Sequence, residues 1–384
     1  MTPTVAARGL SATLCRDPAQ FAELAAQWDA LVRRSRPATP FQTHAWLHSW
    51  WLSYGSPGRL RVVLVRRDGE LVAAAPLMLV HRPLPTLVAI GGGISDFCDV
   101  LLDDDCPEAA PALARALHRA SRGAVVDLRE VRPGAAAEQL HDAWRGARRR
   151  LADSVCLELP GVGMDDLLAR LAPASAKRTR RKLRKIDAMG VEEHTVGPAD
   201  AVASVRTMLE LHALQWQGRG VTPEHLRPRF RAHLEHAMQH MTSSGDAVLT
   251  EYRVGDEVLA SDLTFTSADL VCCYLYGAHP RLRDEKLDIA TMLLRHDAHY
   301  AASSGRKVLS LLRGTESYKL RWHPDSVVNQ RFLLARRELR PLLGLYAAQI
   351  AGRAFAAGAV RDRATALRMW RTRANGPRAE ETTT

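Results

Sequence analysis

The sequence predicts an α/β protein built from two tandem mixed-sheet units with flanking helices. Three observations carry this. At 384 residues the chain is too long for one ordinary core, so two domains are expected. Its apolar pattern alternates between short strand-like runs and helical spacing. The order hairpin, strand, loop, helix, strand also occurs twice with only slight residue identity, a repeat of architecture rather than of sequence.

The first copy begins after a helix. Residues 17–35 place Phe21, Leu24, Trp28, Leu31 and Val32 at helical spacing, and Asp17 before Pro18 is a cap followed by a first-turn proline. An aromatic segment follows, PFQTHAWLHSWWLSYG (40–55). Residues 59–80 read as two strands about an Asp-Gly turn. Residues 84–103 read as a strand, a glycine loop and another strand. Residues 107–123 read as a helix closed by glycine, and 124–131 as a strand.

The second copy has the same order: a hairpin about Gly-Asp (247–266), a strand running into a polar loop (269–280), a helix closed by Gly305 (287–305) and a strand (307–314). Between the copies lies LLARLAPASAKRTRRKLRKIDAMG (167–190), with seven basic residues and no acid within 175–185. Helical stretches at 200–217 and 223–245 follow. Beyond residue 340 the chain is helical, basic and alanine-rich, and its end, PRAEETTT, has the composition of a disordered tail. The expected division is an N-terminal unit at 1–155, a C-terminal unit at 156–340 and an extension at 341–384.

Hydrophobic residues make up 46% and charged residues 25%, as in a globular protein. No run reaches the roughly 18 apolar residues of a membrane helix. The start, MTPTVAARGLSATL, lacks the charged-then-apolar layout of a secretory signal, so a cytoplasmic location is expected. The six cysteines show no CxxC spacing, which supports neither zinc nor a disulfide framework. Cys272 and Cys273 read as small apolar residues in a strand. With 15 histidines and no HExxH pattern, no metal site is expected, and the pair His236 and His240 reads as surface. The net charge of +11 suits a polyanionic partner, and equally the arginine-rich usage of a GC-rich genome.

The segments FQTHAWLHSWWLSYG, DGELVAAAPL, ISDFCDVLL, SAKRTRRKLRK, LHALQWQGRG and LLRGTESYKLRW occur in one order. Together, over about residues 40–335, that ordered set resembles the CelD/BcsL-type acyltransferases of the GNAT superfamily. The resemblance implies a double GNAT-like fold, similar in plan to the Fem-type transferases that move amino acids from aminoacyl-tRNA onto peptidoglycan precursors. It also implies acyl transfer to an amine, with the donor held by the C-terminal unit. GNAT enzymes that use acetyl-CoA hold its pyrophosphate on a glycine-rich loop between a strand and a helix. The corresponding stretch here, AHPRLRDEKLD (278–288), has no glycine, and its phosphate ligands would be Arg281, Arg283 and Lys286. That departure moves the donor from acyl-CoA (acetyl-CoA) toward an aminoacyl-tRNA or an acyl-carrier-protein thioester.

Acyl transfer requires the amine to lose a proton, the carbonyl oxygen to be stabilised and the leaving group to be protonated. The segment after the last strand of the second copy offers groups for each. Lys319 would face the oxyanion or a donor phosphate, Tyr318 would protonate the leaving group, and Glu316 would take the amine proton if burial raised its pKa. Gly314 would turn the chain at the strand end, where such sheets present side chains to a ligand crevice. A surface Glu–Lys pair and a tyrosine packed on Trp322 is the other reading of the segment. Asp262, in a strand that is otherwise apolar, is either paired or a general base; it shares a face with Thr264. Trp46, four residues before Trp50, matches the aromatic motif of the family and is either an acceptor contact or core. Asp96 and Asp99, after GGGIS, would hold a cationic acceptor, or Asp96 would be a cap. His212 and Trp216 share a helix face, where Trp216 would stack on a base or pack inward. Lys177, Arg178, Arg181, Lys182 and Lys185 form one basic helical face that suits tRNA phosphates or plain solvation.

The leading function is a GNAT-fold N-acyltransferase using acyl-CoA or a related activated carbonyl and a small-molecule amine. Attack would be direct, since no nucleophile elbow such as GxSxG is present. The alternative is a Fem-like, tRNA-dependent aminoacyltransferase. A third reading, of another class, is a non-catalytic nucleic-acid or polysaccharide-complex binding protein on this scaffold. Acceptor, pathway and oligomeric state are not legible in the sequence.

Overall fold

A computed structural model describes residues 9–81, 84–218 and 222–353. The first half contains β1 (Leu10–Cys15), α1 (Pro18–Ala22), α2 (Ala25–Arg34), α3 (His44–Tyr54), β2 (Leu60–Arg67), β3 (Glu70–His81), β4 (Pro85–Ala89), β5 (Leu101–Leu102), α4 (Ala109–Ala120), β6 (Val125–Val131), α5 (Ala136–Ala143) and β7 (Ala147–Pro160). The second half contains α6 (Met164–Ala169), α7 (Pro173–Asp187), β8 (Glu192–Thr195), α8 (Ala201–Trp216), α9 (Pro228–Ser244), β9 (Ala247–Val254), β10 (Glu257–Thr266), β11 (Leu270–Ala278), α10 (Pro280–Asp284), α11 (Ile289–Ser303), β12 (Val308–Arg313), α12 (Ser317–Leu320) and β13 (Asp325–Ala335). Helical backbone continues over 340–353. The polar tail expected to be disordered lies outside the described residues.

Local chemistry sets most of these elements. Asp17 accepts from the Ala19 N–H and Pro18 opens α1, as expected, but the helix breaks at Glu23 and Leu24 into α1 and α2. The break brings Phe21 edge-on to Trp28 at 5.7 Å. Asp68 (φ 51°) and Gly69 (φ 89°) supply the two left-handed residues of a tight hairpin turn. The expected second strand within 84–103 shrinks to Leu101 and Leu102. The chain before it leaves the ladder so that the Cys98 N–H can reach the Glu130 carbonyl at 2.9 Å.

All strands join one sheet in the order β1-β2-β3-β4-β6-β13-β7-β12-β11-β10-β9-β8, with β5 off this path on β3. The order is symmetric about its centre. Each half contributes a run of antiparallel neighbours, then one parallel pair, β4 with β6 and β11 with β12. Each half then ends on a strand that is taken up by the other: β7 lies against β12, and β13 lies against β6. β7 and β13 also pair along ten positions and close the centre. This is the expected fold, two GNAT-like mixed-sheet units in tandem with flanking helices. The residue 155/156 boundary drawn from the sequence falls within β7.

Candidate active site

The parallel pair of the second half makes the crevice. β11 and β12 stay in register only for Leu270–Val308, Val271–Leu309 and Cys272–Ser310, and then part. In β11 the register on β10 slips after Leu263–Leu275 to Thr264–Cys273, which leaves Tyr274 as an extra residue. In β12 Leu312 takes a left-handed backbone (φ 59°), a conformation a leucine rarely adopts and one associated with functional strand ends. A cavity of about 480 Å³ lies between the parted strands, lined by Cys273–Tyr276 and Leu311–Gly314 among others. In open α/β sheets ligands lie beyond the carboxyl ends of the strands, and that generalisation points to a site here.

The segment after β12 forms one rim. Gly314 turns the chain at φ 109°, a backbone conformation that favours glycine, with the Glu316 carboxylate close beside it. Lys319 is buried; its Nζ donates to the Arg313 carbonyl at 2.7 Å and pairs with Glu316 at 3.0 Å. Tyr318 is partly exposed at the cavity, and burial of its ring raises its pKa, so the hydroxyl stays protonated. Trp322 lines the cavity while packing into the core with Leu309 and Leu311.

The opposite wall carries an acid pair. Asp262 is 4% exposed and Asp297, from α11, is 2% exposed; both line the cavity. Asp297 accepts from Thr264 Oγ1 at 2.7 Å and from the Cys273 thiol at 3.0 Å. Asp262 Oδ1 has no hydrogen-bond partner. Burial raises both carboxyl pKa values, and the charge of Asp297 raises that of Asp262 further.

A histidine pair lies beside the acids. Gly277 lets α8 pack directly on β11, because any side chain there would run into the Met208 carbonyl and the His212 backbone. His212 Nδ1 therefore reaches the Tyr276 carbonyl at 2.7 Å, and a carbonyl only accepts, so Nδ1 carries the proton. His212 Nε2 then accepts from His225 Nδ1 at 3.2 Å. Burial lowers both pKa values, that of His225 to about 4, so the pair is neutral near pH 7. Trp216 also lines the cavity, and its indole N–H has no partner.

The first half supplies the roof. Gly93, Ile94 and Asp96 line the cavity, and Tyr274 Oη donates to the Ile94 carbonyl at 3.0 Å. Arg313 crosses to the first half and binds Asp96 and Glu130. Burial works against its charge, but the two carboxylates outweigh this and raise its pKa. Asn329 from β13 donates to the Asp96 carbonyl and to Glu130, which ties the roof to the sheet.

Of the residues expected at the site, Glu316, Tyr318, Lys319, Gly314, Asp262, Asp96, His212, Trp216 and Trp322 converge on this cavity. Trp46 does not: it is fully buried, donates to Ser95 Oγ and packs behind Tyr274 at 5.4 Å. Asp99 does not either. Its carboxyl accepts from the N–H groups of Val100, Ala136 and Ala137 and caps α5, while burial pushes its pKa up to about 7. Arg281 sits on the one-turn α10 and pairs with Glu257 and Glu285, and Arg283 lies near Asp284; neither they nor Lys286 line the cavity. Lys177, Arg178, Arg181, Lys182 and Lys185 are all exposed on α7, whose inner face is Ala176, Thr179 and Ile186. Cys272 is buried as expected, whereas Cys273 also serves Asp297. His236 and His240 are exposed, and no metal-binding group of His, Cys, Asp and Glu occurs among the described residues.

Asp288 defines the start of α11, where a GNAT fold presents a helix N-terminus to phosphate. Its carboxylate accepts from the Thr291 N–H at 3.1 Å, from Arg321 at 2.7 and 3.0 Å and from Lys182 at 2.7 Å. Burial opposes the charge, but Arg321 and Lys182 hold the carboxyl far below the usual carboxylate range. The helix N-terminus is thus already neutralised by an anion of the chain itself.

Residues 173–320 match the acetyltransferase (GNAT) domain family. That match spans α7 to α12, which supply most of the cavity lining. A structure of FemX superposes with a TM-score of 0.59 at 13% identity, covering 84% of this chain and 98% of that one. L-PGS from Bacillus licheniformis superposes with a TM-score of 0.52 at 13% identity, covering 86% and 96%. At such identities the likeness is one of fold. No curated protein is similar to the chain by sequence.

Sequence reasoning did not single out Asp297, Arg313 or His225. Asp297 left a signal: it falls on the apolar stripe of α11 with Leu293, Leu294, Ala298 and Ala301, where a charge is out of place. Arg313 and His225 left none, since their partners lie 183 and 13 residues away or more.

Proposed function

We propose that the protein is an acyltransferase of the CelD/BcsL type that takes an aminoacyl group from tRNA and passes it to an amine in the cavity at the β11–β12 split. The amine nitrogen attacks the ester carbonyl, the bond to the ribose oxygen breaks, and the amine gives up a proton. Tyr318, kept protonated, stands at the rim to return a proton to the leaving oxygen. Glu316, at the solvent side of Lys319, is positioned to take the amine proton, and Lys319 fixes the turn that holds both. The first half, with Asp96 and Arg313, closes the cavity from above. A cytoplasmic location follows from such a donor.

The observation that carries the choice of donor is Asp288. A pyrophosphate bound at the α11 N-terminus would meet this carboxylate, and like charges at contact distance repel. Arg321 and Lys182, which bind that carboxylate, are already satisfied by it. The exposed cations of α7 remain: among the described residues Lys177, Arg180, Arg181 and Arg184 form no ion pair, and Lys182 joins this helix to Arg321 and the rim through Asp288. A polyanion along α7 would thereby deliver its 3′ end toward the cavity. The GNAT family match favours the second reading, an acyl-CoA donor.

Binding measurements separate the two. Aminoacyl-tRNA should bind with an affinity that falls steeply with salt, by about 0.7–0.9 in log K per log unit for each phosphate engaged, while acetyl-CoA leaves thermal stability unchanged. Stabilisation of about 2.7 kcal/mol by acetyl-CoA at 100 times its Kd, with no affinity for tRNA, would establish the second reading instead.

A further inference from the structure

We infer that the end of the cavity walled by β10 and α11 is a binding site for a primary ammonium group, held by Asp262 and Asp297. The inference deepens the acyl-transfer reading and rests on it for the identity of the ligand. It begins from the charges that line the cavity. The acids are Asp96, Asp262, Asp297 and Glu316, and the bases are Arg313 and Lys319. Arg313 is matched by Asp96 and Glu130, and Lys319 by Glu316. Asp262 and Asp297 are left over, and no arginine or lysine among the described residues forms an ion pair with either.

The groups that face the pair do not supply a permanent cation. Tyr252 comes from β9, Thr264 from β10, Cys273 from β11 and Glu193 from β8. His296, next to Asp297 on α11, is held between Glu193 at 2.8 Å and Thr250 at 3.0 Å. Buried carboxylates without a counter-charge are costly, so in the empty cavity the pair retains a proton. Asp262, 4% exposed, lines the cavity, and its buried Oδ1 has no partner. An entering cation replaces that proton and gains this acceptor. One unpartnered oxygen suits the point charge of an ammonium better than the planar fork of a guanidinium. Trp216, Tyr274, Tyr276 and Tyr318, which also line the cavity, favour a cation over an anion. The ammonium is either the α-amino group of the aminoacyl donor or the acceptor amine before it loses its proton.

Isothermal titration of the full chain at pH 7 tests this with three probes: norleucinamide for the donor, hexylamine for the acceptor, and hexan-1-ol as the uncharged control. At least one amine should bind ten or more times more tightly than hexan-1-ol, with a heat that varies with buffer ionisation enthalpy because a proton is released. Binding of norleucinamide alone assigns the donor, and of hexylamine alone the acceptor. The double variant Asp262→Asn, Asp297→Asn should weaken the amines at least tenfold. Amines that bind no better than the alcohol, or equally well to the double variant, overturn the inference. Should that variant not fold, wild-type heats that do not depend on the buffer overturn it alone. Because tRNA binding is not read here, loss of the amine site with tRNA affinity intact sinks only this inference, and the reverse result sinks only the donor assignment.

Discussion

Replacing Asp288 with alanine removes the carboxylate that caps α11 and anchors two cations. Loss of the cap to Thr291 costs about 1 kcal/mol. Loss of the bidentate contact with Arg321, a partly buried guanidinium that also donates to Thr291 Oγ1, costs about 1.5–3 kcal/mol as a charge-assisted pair. Lys182 is nearly half exposed, and its share is at most a few tenths of a kcal/mol. Asp288→Ala should therefore lose roughly 3 kcal/mol in urea denaturation at pH 7. The sign with pH follows from the depressed carboxyl pKa: the contribution of Asp288 is fully present above about pH 4, the unfolded carboxyl value, and fades only as pH falls toward the much lower folded value. Wild type and variant should converge only in strong acid. The freed helix end, with Arg321 and Lys182 unpaired, should bind phosphate, so millimolar phosphate should restore stability to the variant and leave the wild type unchanged. A loss below about 1 kcal/mol together with no response to phosphate would refute the idea that this carboxylate occupies the anion position.

Other outcomes follow from the same contacts. Arg313→Met should destabilise by about 3 kcal/mol, because it strands Asp96 without a counter-charge and leaves the buried Glu130 only the long contact with Arg129 at 3.9 Å, as read by urea midpoint. Asp262→Asn should be more stable than wild type above pH 7. The folded carboxyl pKa is raised, so the wild type loses stability as pH climbs from about 4 toward that folded value, and urea curves at pH 5 and 8 should show the variant free of this loss. His225, with its pKa lowered to about 4, makes the protein lose stability as pH falls from about 6.5 to 4, on the order of 2–3 kcal/mol, and His225→Gln should flatten that decline. Charge reversal at Lys177, Arg178 and Arg181 should weaken tRNA binding and reduce its salt slope without changing the thermal midpoint by more than a degree or so.

Much of the second half was legible because its signals are local. The Gly-Asp turn, the period of β10 and the glycine at 314 are read within a few residues, and in the structure Asp262 and residues of the 314–322 rim line one cavity. The central strands β7 and β13 were not recognised. Each is given up by one unit and completed by the other, and β7 begins with three exposed arginines that mask its alternation. Trp46 and Asp99 show the limit of type-based reasoning: an indole in an aromatic motif and a carboxylate after a glycine loop both suit a binding site, but the indole fills the core, the other reading it carried, and the carboxylate caps α5. The basic stretch at 281–286 likewise reads as a phosphate site, but Arg281 answers Glu257 and Glu285, and none of its three cations lines the cavity.

The most direct test is photolabelling with a 3′-aminoacyl adenosine carrying a diazirine on its acyl side chain, followed by peptide mapping. Labels on Cys273–Tyr276 or within residues 311–322, suppressed by excess aminoacyl-tRNA, are expected if the carbonyl is delivered at the β11–β12 split. Labels confined to other peptides, or undiminished by aminoacyl-tRNA, would contradict it.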